Sequence, residues 1–296
     1  MPGRGSARSP ASKGSRFIPL GKPAKAIPMA FIPGISSPAS EGRLYLVTEQ
    51  SLCVIRTSSG VDIPTGPAAG AIYLGSRDES PCFARALEPG EPPPEGSEPI
   101  PLRRLFGVLS DEDFAIAGRA LGITAWDRDF RFCGRCGAAT ERSDTERVRS
   151  CTACGHHAYP RLSPAIIVLV EREGRALLAR NARFPRPFFS TLAGFVEVGE
   201  SLEDAVEREI EEEAGILVTD VRYFGSQPWP FTGSLMIGFT AKWAAREIAA
   251  DSSEIAEAGW FPPDKLPAHI PPRLSIAREL IDDFVCRHGG TRREES

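Results

Sequence analysis

Apolar positions fall into short runs separated by polar, proline-rich and glycine-rich stretches, and these runs divide the chain. Residues 1–41 show no sustained periodicity and are rich in Pro, Gly, Ser, Ala and basic side chains, which predicts a disordered basic tail. Arg43–Val47, Leu52–Ile55 and Ala71–Leu74 are β-like runs, so residues 42–128 are expected to hold a small, mostly β N-terminal domain. A mobile loop is expected between Glu88 and Pro101. Asp111–Trp126 has helical spacing, with Phe114, Ala117 and Leu121 on one face and Ser110 as N-cap. Further on, Ala165–Val170 is apolar at every position, the pattern of a strand buried on both faces. Ala176–Ala179 completes a hairpin with it, and strands follow at Val221–Phe224 and Leu235–Trp243. A helix is predicted from Leu202 to Ala214 with Gly215 as its C-cap. A last helix, 274–286, would bury Leu274, Ala277, Ile281 and Phe284. Strands, helix, strands, helix predict an α/β class and an α/β/α sandwich over residues 161–290, with 291–296 as a tail.

Composition adds limits. The 296 residues suffice for two modest domains, and no run approaches the roughly 18 apolar residues of a membrane span. The net charge of −4 is uneven, because residues 1–40 carry six basic side chains and no acid. The remaining 29 basic and 39 acidic residues give −10, which argues against a general polyanion binder. Cys53, Cys82 and Cys286 stand alone among seven cysteines, which fits reduced thiols in the cytoplasm rather than a disulfide framework. The tail lacks the apolar core of a secretory signal.

The chemistry concentrates in Gly194–Ile216, GFVEVGESLEDAVEREIEEEAGI. At about 100° per residue, Glu209, Glu212 and Glu213 share one helix face. Carboxylates that close repel one another unless a cation sits among them, and hard divalent cations prefer such oxygens. A solvated acidic helix would leave the bracketing glycines, Glu200 and the Arg208–Glu209 pair unexplained.

Two further stretches stand out. Cys133 and Cys136, then fourteen residues, then Cys151 and Cys154 form two knuckles able to offer four thiolates to one structural Zn²⁺ (residues 129–160). His156 and His157 follow at once and remain alternative ligands. In Ser226-Gln-Pro-Trp-Pro-Phe-Thr-Gly-Ser234, Pro228 and Pro230 stiffen a loop, while Trp229 and Phe231 offer flat surfaces that suit a nucleobase or nicotinamide. Gln227 and Ser234 add neutral hydrogen-bonding groups, and the bland reading is a core-packing Pro/aromatic turn.

The stretch Gly194–Ile216 matches the Nudix box, GX5EX7REUXEEXGU with U aliphatic, at every specified position. With the four cysteines, Tyr159-Pro160-Arg161 and the 226–234 stretch, the chain resembles the NADH pyrophosphatase family of Nudix hydrolases over about residues 42–287. It departs from that family's SQPWPFPxS pattern at Thr232, where the family has proline. The resemblance implies a Nudix fold and hydrolysis of the diphosphate of NAD(H) to nicotinamide mononucleotide and AMP. It also implies removal of NAD caps from RNA 5′ ends and a homodimer. Mg²⁺ or Mn²⁺ would be held by Glu209, Glu213, Glu254 and the Ala193 carbonyl, with Glu212 as the third carboxylate of the box. Glu257 rivals Glu254, and Arg208 with Glu200 would orient the glutamates. Substrate contacts carried over by position are Phe195, residues 227–234 (including Gly233), Tyr159 from the partner subunit, Glu146, Ala277 and Arg104. Two other readings compete: a Nudix hydrolase of ADP-ribose or a CoA derivative, and a non-catalytic zinc-ribbon RNA-binding module.

Overall fold

The computed structural model describes residues 31–58, 60–182, 188–250 and 252–290. The predicted tail lies outside them up to residue 30, as does 291–296. Residues 31–41 do not continue that tail, because Phe31–Pro33 (β1) is hydrogen-bonded into a sheet and the Phe31 ring is buried. The sheet continues with β2 (Glu41–Thr48), β3 (Ser51–Thr57), β4 (Gly60–Asp62), β5 (Thr65–Pro67), β6 (Ile72–Arg77), β7 (Ser80–Ala86) and β8 (Ser97–Pro101). The expected mobile stretch before Pro101 thus includes a strand, β8, paired with β3. A short 3-10 turn, Leu102–Leu105, leads to helix α1 (Asp111–Asp129).

Helix α1 is fastened to this sheet through Asp113. Ser110 caps the helix by accepting from the Asp113 amide (3.1 Å). The Asp113 carboxylate accepts from Arg43 (2.7 Å), Tyr45 Oη (2.7 Å) and Arg77. Burial opposes ionisation of Asp113, but these donors outweigh it and hold the carboxyl below its ordinary range.

Three short strands, β9 (Thr140–Arg142), β10 (Arg149–Cys151) and β11 (His157–Ala158), form the ribbon that carries the cysteines. The C-terminal sheet follows: β12 (Ser163–Arg172), β13 (Arg175–Asn181), β14 (Leu192–Phe195), β15 (Leu217–Trp229), β16 (Ser234–Ala245) and β17 (Ile255–Phe261). Helix α2 (Leu202–Ala214) lies between β14 and β15, and α3 (Ile276–Arg287) comes last. The run from Ala165 to Val170 is apolar throughout because β12 is central and covered on both faces. Ile166, Val168 and Val170 pack toward α2, whereas Ile167 and Leu169 pack toward α3.

The two sheets share a topology that the sequence did not reveal. The C-terminal order is β15-β16-β12-β13-β17, with β12 parallel to β16 and β14 joining β12. In the N-terminal half β6 pairs β7, β7 runs parallel to β2, β2 pairs β3, β3 pairs β8, and β5 joins β2. Strand follows strand, and α1 takes the place of α3 after the last one. The N-terminal sheet adds β1 and β4, and it lacks α2, whose counterpart would lie between β5 and β6, where only residues 68–71 intervene. The N-terminal half therefore repeats the C-terminal topology without a counterpart of α2.

Several expected boundaries move. Leu274 is not helical; it packs into the N-terminal core, and α3 begins at Ile276 because Gln227 occupies the helix start. Strand β17 was not expected, since Ile255-Ala-Glu-Ala-Gly lacks a β-like pattern, yet pairing with β13 holds it extended. Glu254 thus lies immediately before this strand, and Glu257 within it.

Glu171 pins α3 to the sheet, accepting from Arg287 (2.6 Å), Lys242 (2.8 Å) and His288 (3.3 Å). Burial opposes its charge, but the Arg287 and Lys242 hydrogen bonds prevail and hold the carboxyl at about 2. A depressed folded pKa contributes stability that is complete above the ordinary carboxylate range and lost as pH falls toward 2. Urea unfolding at pH 5.5 to 3.5 should show Glu171→Gln less stable than the parent by about 2 kcal/mol at the upper end, with the gap closing as pH falls. A gap independent of pH would contradict this assignment.

Candidate active site

The box helix is built to hold acids against a strand. Ser201 and Asp204 form a reciprocal capping box at its start, and Gly215 ends it in the left-handed region (φ 72°). Val206 and Ile210 bury its apolar side, Glu209 stands against β14 at Gly194, and Glu212 and Glu213 interact with Glu209 electrostatically. The approach is close at one point. A Cβ on Gly194 would stand 1.9–2.2 Å from the Glu209 carboxylate, so glycine there makes room for the acid.

Arg208 ties the cluster together. Its Nε and Nη2 clamp Glu200 (2.7 and 2.9 Å), and Nη1 donates to Glu209 (2.8 Å) and Glu212 (3.0 Å). Nη2 also donates to the Phe195 carbonyl (2.9 Å), joining helix to strand. Glu200 accepts the Glu197 amide as well (3.0 Å), and the Arg208 clamp holds its carboxyl at about 2. Glu213 is different. It is 9% exposed, and among the described residues none donates a hydrogen bond to it. Burial first, then repulsion from Glu209, Glu254 and Glu212, raises its carboxyl to about 7. Burial raises Glu209 too. A buried, unpaired carboxylate beside like charges is stabilised by a divalent cation, and the hard oxygens of this donor set suit Mg²⁺ or Mn²⁺. Of the two rival acids, Glu254 acts electrostatically on both Glu209 and Glu213, whereas Glu257 pairs with Arg180 (3.8 Å).

The sheet sorts the remaining residues by face. Phe195 and Met236 both flank Ala165, so they lie about 10 Å apart, two strand spacings. Ala193 opposite Ile167, and Phe195 opposite Ala165, share the α3 face; Gly194 opposite Ile166 faces α2. Ser234 and Met236, with their partners Trp229 and Gln227, lie on the α3 face as well. Ala277 sits nearby in the α3-side core. The carboxylates thus occupy one face, the ring-sized surfaces the other, and β14 is the edge between them. Phe195 is 58% exposed there.

The 226–234 stretch is a hairpin and not a free loop. Ser226–Trp229 continue β15 and Ser234 begins β16, leaving a turn at Pro230, Phe231, Thr232 and Gly233 (Gly233 φ 67°). Gln227 is engaged with α3: its Nε2 donates to the Leu274 carbonyl (2.7 Å), and its Oε1 accepts from the Ile276 amide (2.8 Å). Phe231 is 7% exposed and packs with Trp229 into the N-terminal core. Its ring is spent on domain packing, which corrects its reading as an open stacking wall. Thr232 is exposed, its hydroxyl 2.9 Å from that of Ser234. Pro228 is exposed on β15.

The four cysteines converge, with Sγ–Sγ distances of 3.7 Å (Cys133–Cys154), 3.5 Å (Cys136–Cys151) and 3.5 Å (Cys136–Cys154). Zn–S bonds of about 2.3 Å set tetrahedral S–S edges near ~3.8 Å, so the group fits one Zn²⁺ with no position left open. Backbone amides of Cys154 and Ala153 lower the Cys151 thiol to about 6, favouring the thiolate a metal needs. His157 bonds Ser150 (2.9 Å) and lies outside this set, as does His156.

Tyr159 and Glu146 belong to the ribbon. Tyr159 is 56% exposed. Glu146 lines a cleft of about 640 Å³ between the ribbon and the N-terminal half, with Tyr73, Trp126 and Arg142. Arg104 points to solvent; its neighbour Arg103, which the sequence did not single out, packs on Trp229 and Phe231.

Comparison with known proteins covers most of the chain. Residues 36–126 match the NADH pyrophosphatase-like rudimentary NUDIX domain, in keeping with the repeated topology. Residues 128–159 match the NADH pyrophosphatase zinc ribbon domain, and residues 160–284 the NUDIX domain. The NAD-capped RNA hydrolase NudC of Deinococcus radiodurans is 40% identical, covering 88% of this chain and 93% of that protein. The protein of the same name from Pseudomonas aeruginosa strain LESB58 is 48% identical, over 73% of this chain and 77% of that protein.

Glu213 supplies a test independent of substrate. With its carboxyl raised to about 7, Mg²⁺ binding below pH 7 must displace a proton. Calorimetry at pH 6 in two buffers of different ionisation enthalpy should show release approaching one proton per cation cluster, absent in Glu213→Gln. Equal heats in both buffers for the parent would contradict the Glu213 assignment.

Proposed function

The chain belongs to the NADH pyrophosphatase family of Nudix hydrolases, and from that premise we propose that it hydrolyses the central diphosphate of NAD(H). The products are nicotinamide mononucleotide and AMP. The same cut removes an NAD cap from RNA, leaving a 5′-monophosphate end. The observation that carries this reading is the Glu209–Glu213–Glu254 cluster beside β14, in a chain that also holds the four-cysteine ribbon and the Gln227–Ser234 hairpin.

Glu209, Glu213, Glu254 and the Ala193 carbonyl would hold Mg²⁺ or Mn²⁺, with Glu212 at the exposed end of the set. A cation held there would supply charge neutralisation for the diphosphate and a lowered pKa for an attacking water. Arg208, clamped by Glu200, keeps Glu209 and Glu212 aimed and does not itself contact substrate. Water's oxygen bonds to one phosphorus, the bridging P–O bond breaks, and the bridging oxygen leaves on the other phosphate. Phe195, exposed on the α3 face, stacks on the nicotinamide; Ser234, Thr232 and Ala277 border the same side.

The reading includes a homodimer. Tyr159, Leu162 and Phe132 expose large apolar side chains on or beside the ribbon, and a second copy would cover them and bring Tyr159 and Glu146 to the dinucleotide. It also includes a cytoplasmic location, supported by seven cysteines free of disulfides and a site that requires thiolates. Among the described residues no helix is long and apolar enough to cross a membrane.

The test is parallel hydrolysis of NADH, NAD⁺, ADP-ribose and NAD-capped RNA with Mg²⁺ or Mn²⁺. Mononucleotide and AMP should form from NADH faster than ADP-ribose is cut. Glu213→Gln should lower kcat by about 10³-fold, since several kcal/mol of charge stabilisation is lost. Faster ADP-ribose cleavage, or unchanged turnover in the variant, would overturn the proposal.

A further inference from the structure

The 3-10 turn of the N-terminal half places Arg103 over the tip of the Gln227–Ser234 hairpin. Its guanidinium carbon lies 4.0 Å from the centre of the Phe231 ring and 5.1 Å from that of Trp229. The two rings meet edge to face, 4.9 Å apart at 75°. Among the described residues no carboxylate pairs with Arg103, and the ring faces of Trp229 and Phe231 lie beside its charge. Two neighbouring contacts point the same way. Gln50 Nε2 donates to the Phe231 carbonyl (3.0 Å), and Pro230 lies against Gly118 of α1, where a Cβ would stand 3.2 Å from the proline ring.

All three contacts come from the N-terminal half and grip the turn residues 229–231. At the other end of the hairpin, Gln227 is bound to the start of α3. The turn itself carries Thr232, where a proline would have locked φ, so the chain has less stiffness of its own there.

We infer that Arg103 is a positioning residue for the dinucleotide, clamping Trp229 and Phe231 so that the hairpin presents its α3-face groups in one fixed arrangement. The N-terminal half, which lacks a carboxylate helix of its own, thereby takes part in substrate recognition. A planar guanidinium can lie over both rings at once; a lysine ammonium cannot reproduce that, so Arg103→Lys keeps the charge and loses the clamp. The carboxylates lie on the opposite face of the sheet, so the loss falls on substrate affinity rather than on the chemical step. This rests on the NAD(H) reading above.

The experiment compares the full-length parent, Arg103→Lys, Phe231→Leu and the double variant with NADH and Mg²⁺, together with thermal melting. Arg103→Lys should raise KM for NADH about fourfold, the scale of a cation–π contact at a solvent-exposed arginine, while changing kcat less than about twofold. In the Phe231→Leu background the same substitution should have little further effect, because the partner ring is gone. A parental KM in Arg103→Lys overturns the inference. So does an equal KM rise with and without Phe231, since Arg103 would then act elsewhere. A fall in kcat that tracks a lower melting temperature, with KM unchanged, assigns Arg103 a purely structural role. Absence of NADH turnover in the parent defeats the functional reading itself, and is told apart from these outcomes by that control.

Discussion

Like charges held together in a half-dry site are the constraint on which this structure turns. Glu209, Glu212, Glu213 and Glu254 repel one another, and burial makes two of them harder to ionise. Arg208 offsets part of that repulsion with a fork that reaches Glu200, Glu209, Glu212 and a strand carbonyl at once. It does not reach Glu213. The cluster is thus balanced on one side and left short of positive charge on the other, where a divalent cation completes it. Gly194 belongs to the same balance, because any larger residue would push Glu209 off the strand.

In the proposed function the sheet separates chemistry from recognition. Strand β14 fills the side of β12 that β13 leaves when it diverges, since β13 pairs with β12 only at Glu171–Arg172. Alternating side chains along β14 send Gly194 toward the carboxylates and Ala193 and Phe195 toward α3. A diphosphate near this edge can meet cations on one face while its bases lie along the other. The N-terminal half supports the second face through the hairpin, by way of Arg103, Gln50 and Gly118.

Much of this was legible in the sequence. The box could be read because helical spacing alone brings three glutamates together, and two CxxC knuckles at fixed spacing leave few alternatives to a metal. Strand β17 was not legible, because Ile255–Phe261 is held by pairing with β13 and not by its own pattern. Leu274 has helical spacing with Ala277 yet lies outside the helix, since tertiary contacts set where α3 begins. Phe231 reads as a binding aromatic; what it packs against depends on a domain contact that local sequence does not encode. Arg103 was hidden for the same reason. The internal repeat was invisible because topology survives where residue patterns have diverged.

In the proposed function one dinucleotide spans both faces of the sheet around β14. A crystal structure with Mg²⁺ and a non-hydrolysable NADH analogue tests it most directly. The diphosphate should lie beside Glu209 and Glu213, with cations between them, and the nicotinamide against Phe195 on the α3 face. Finding the diphosphate away from the glutamates, or the nicotinamide on the α2 face, would contradict it.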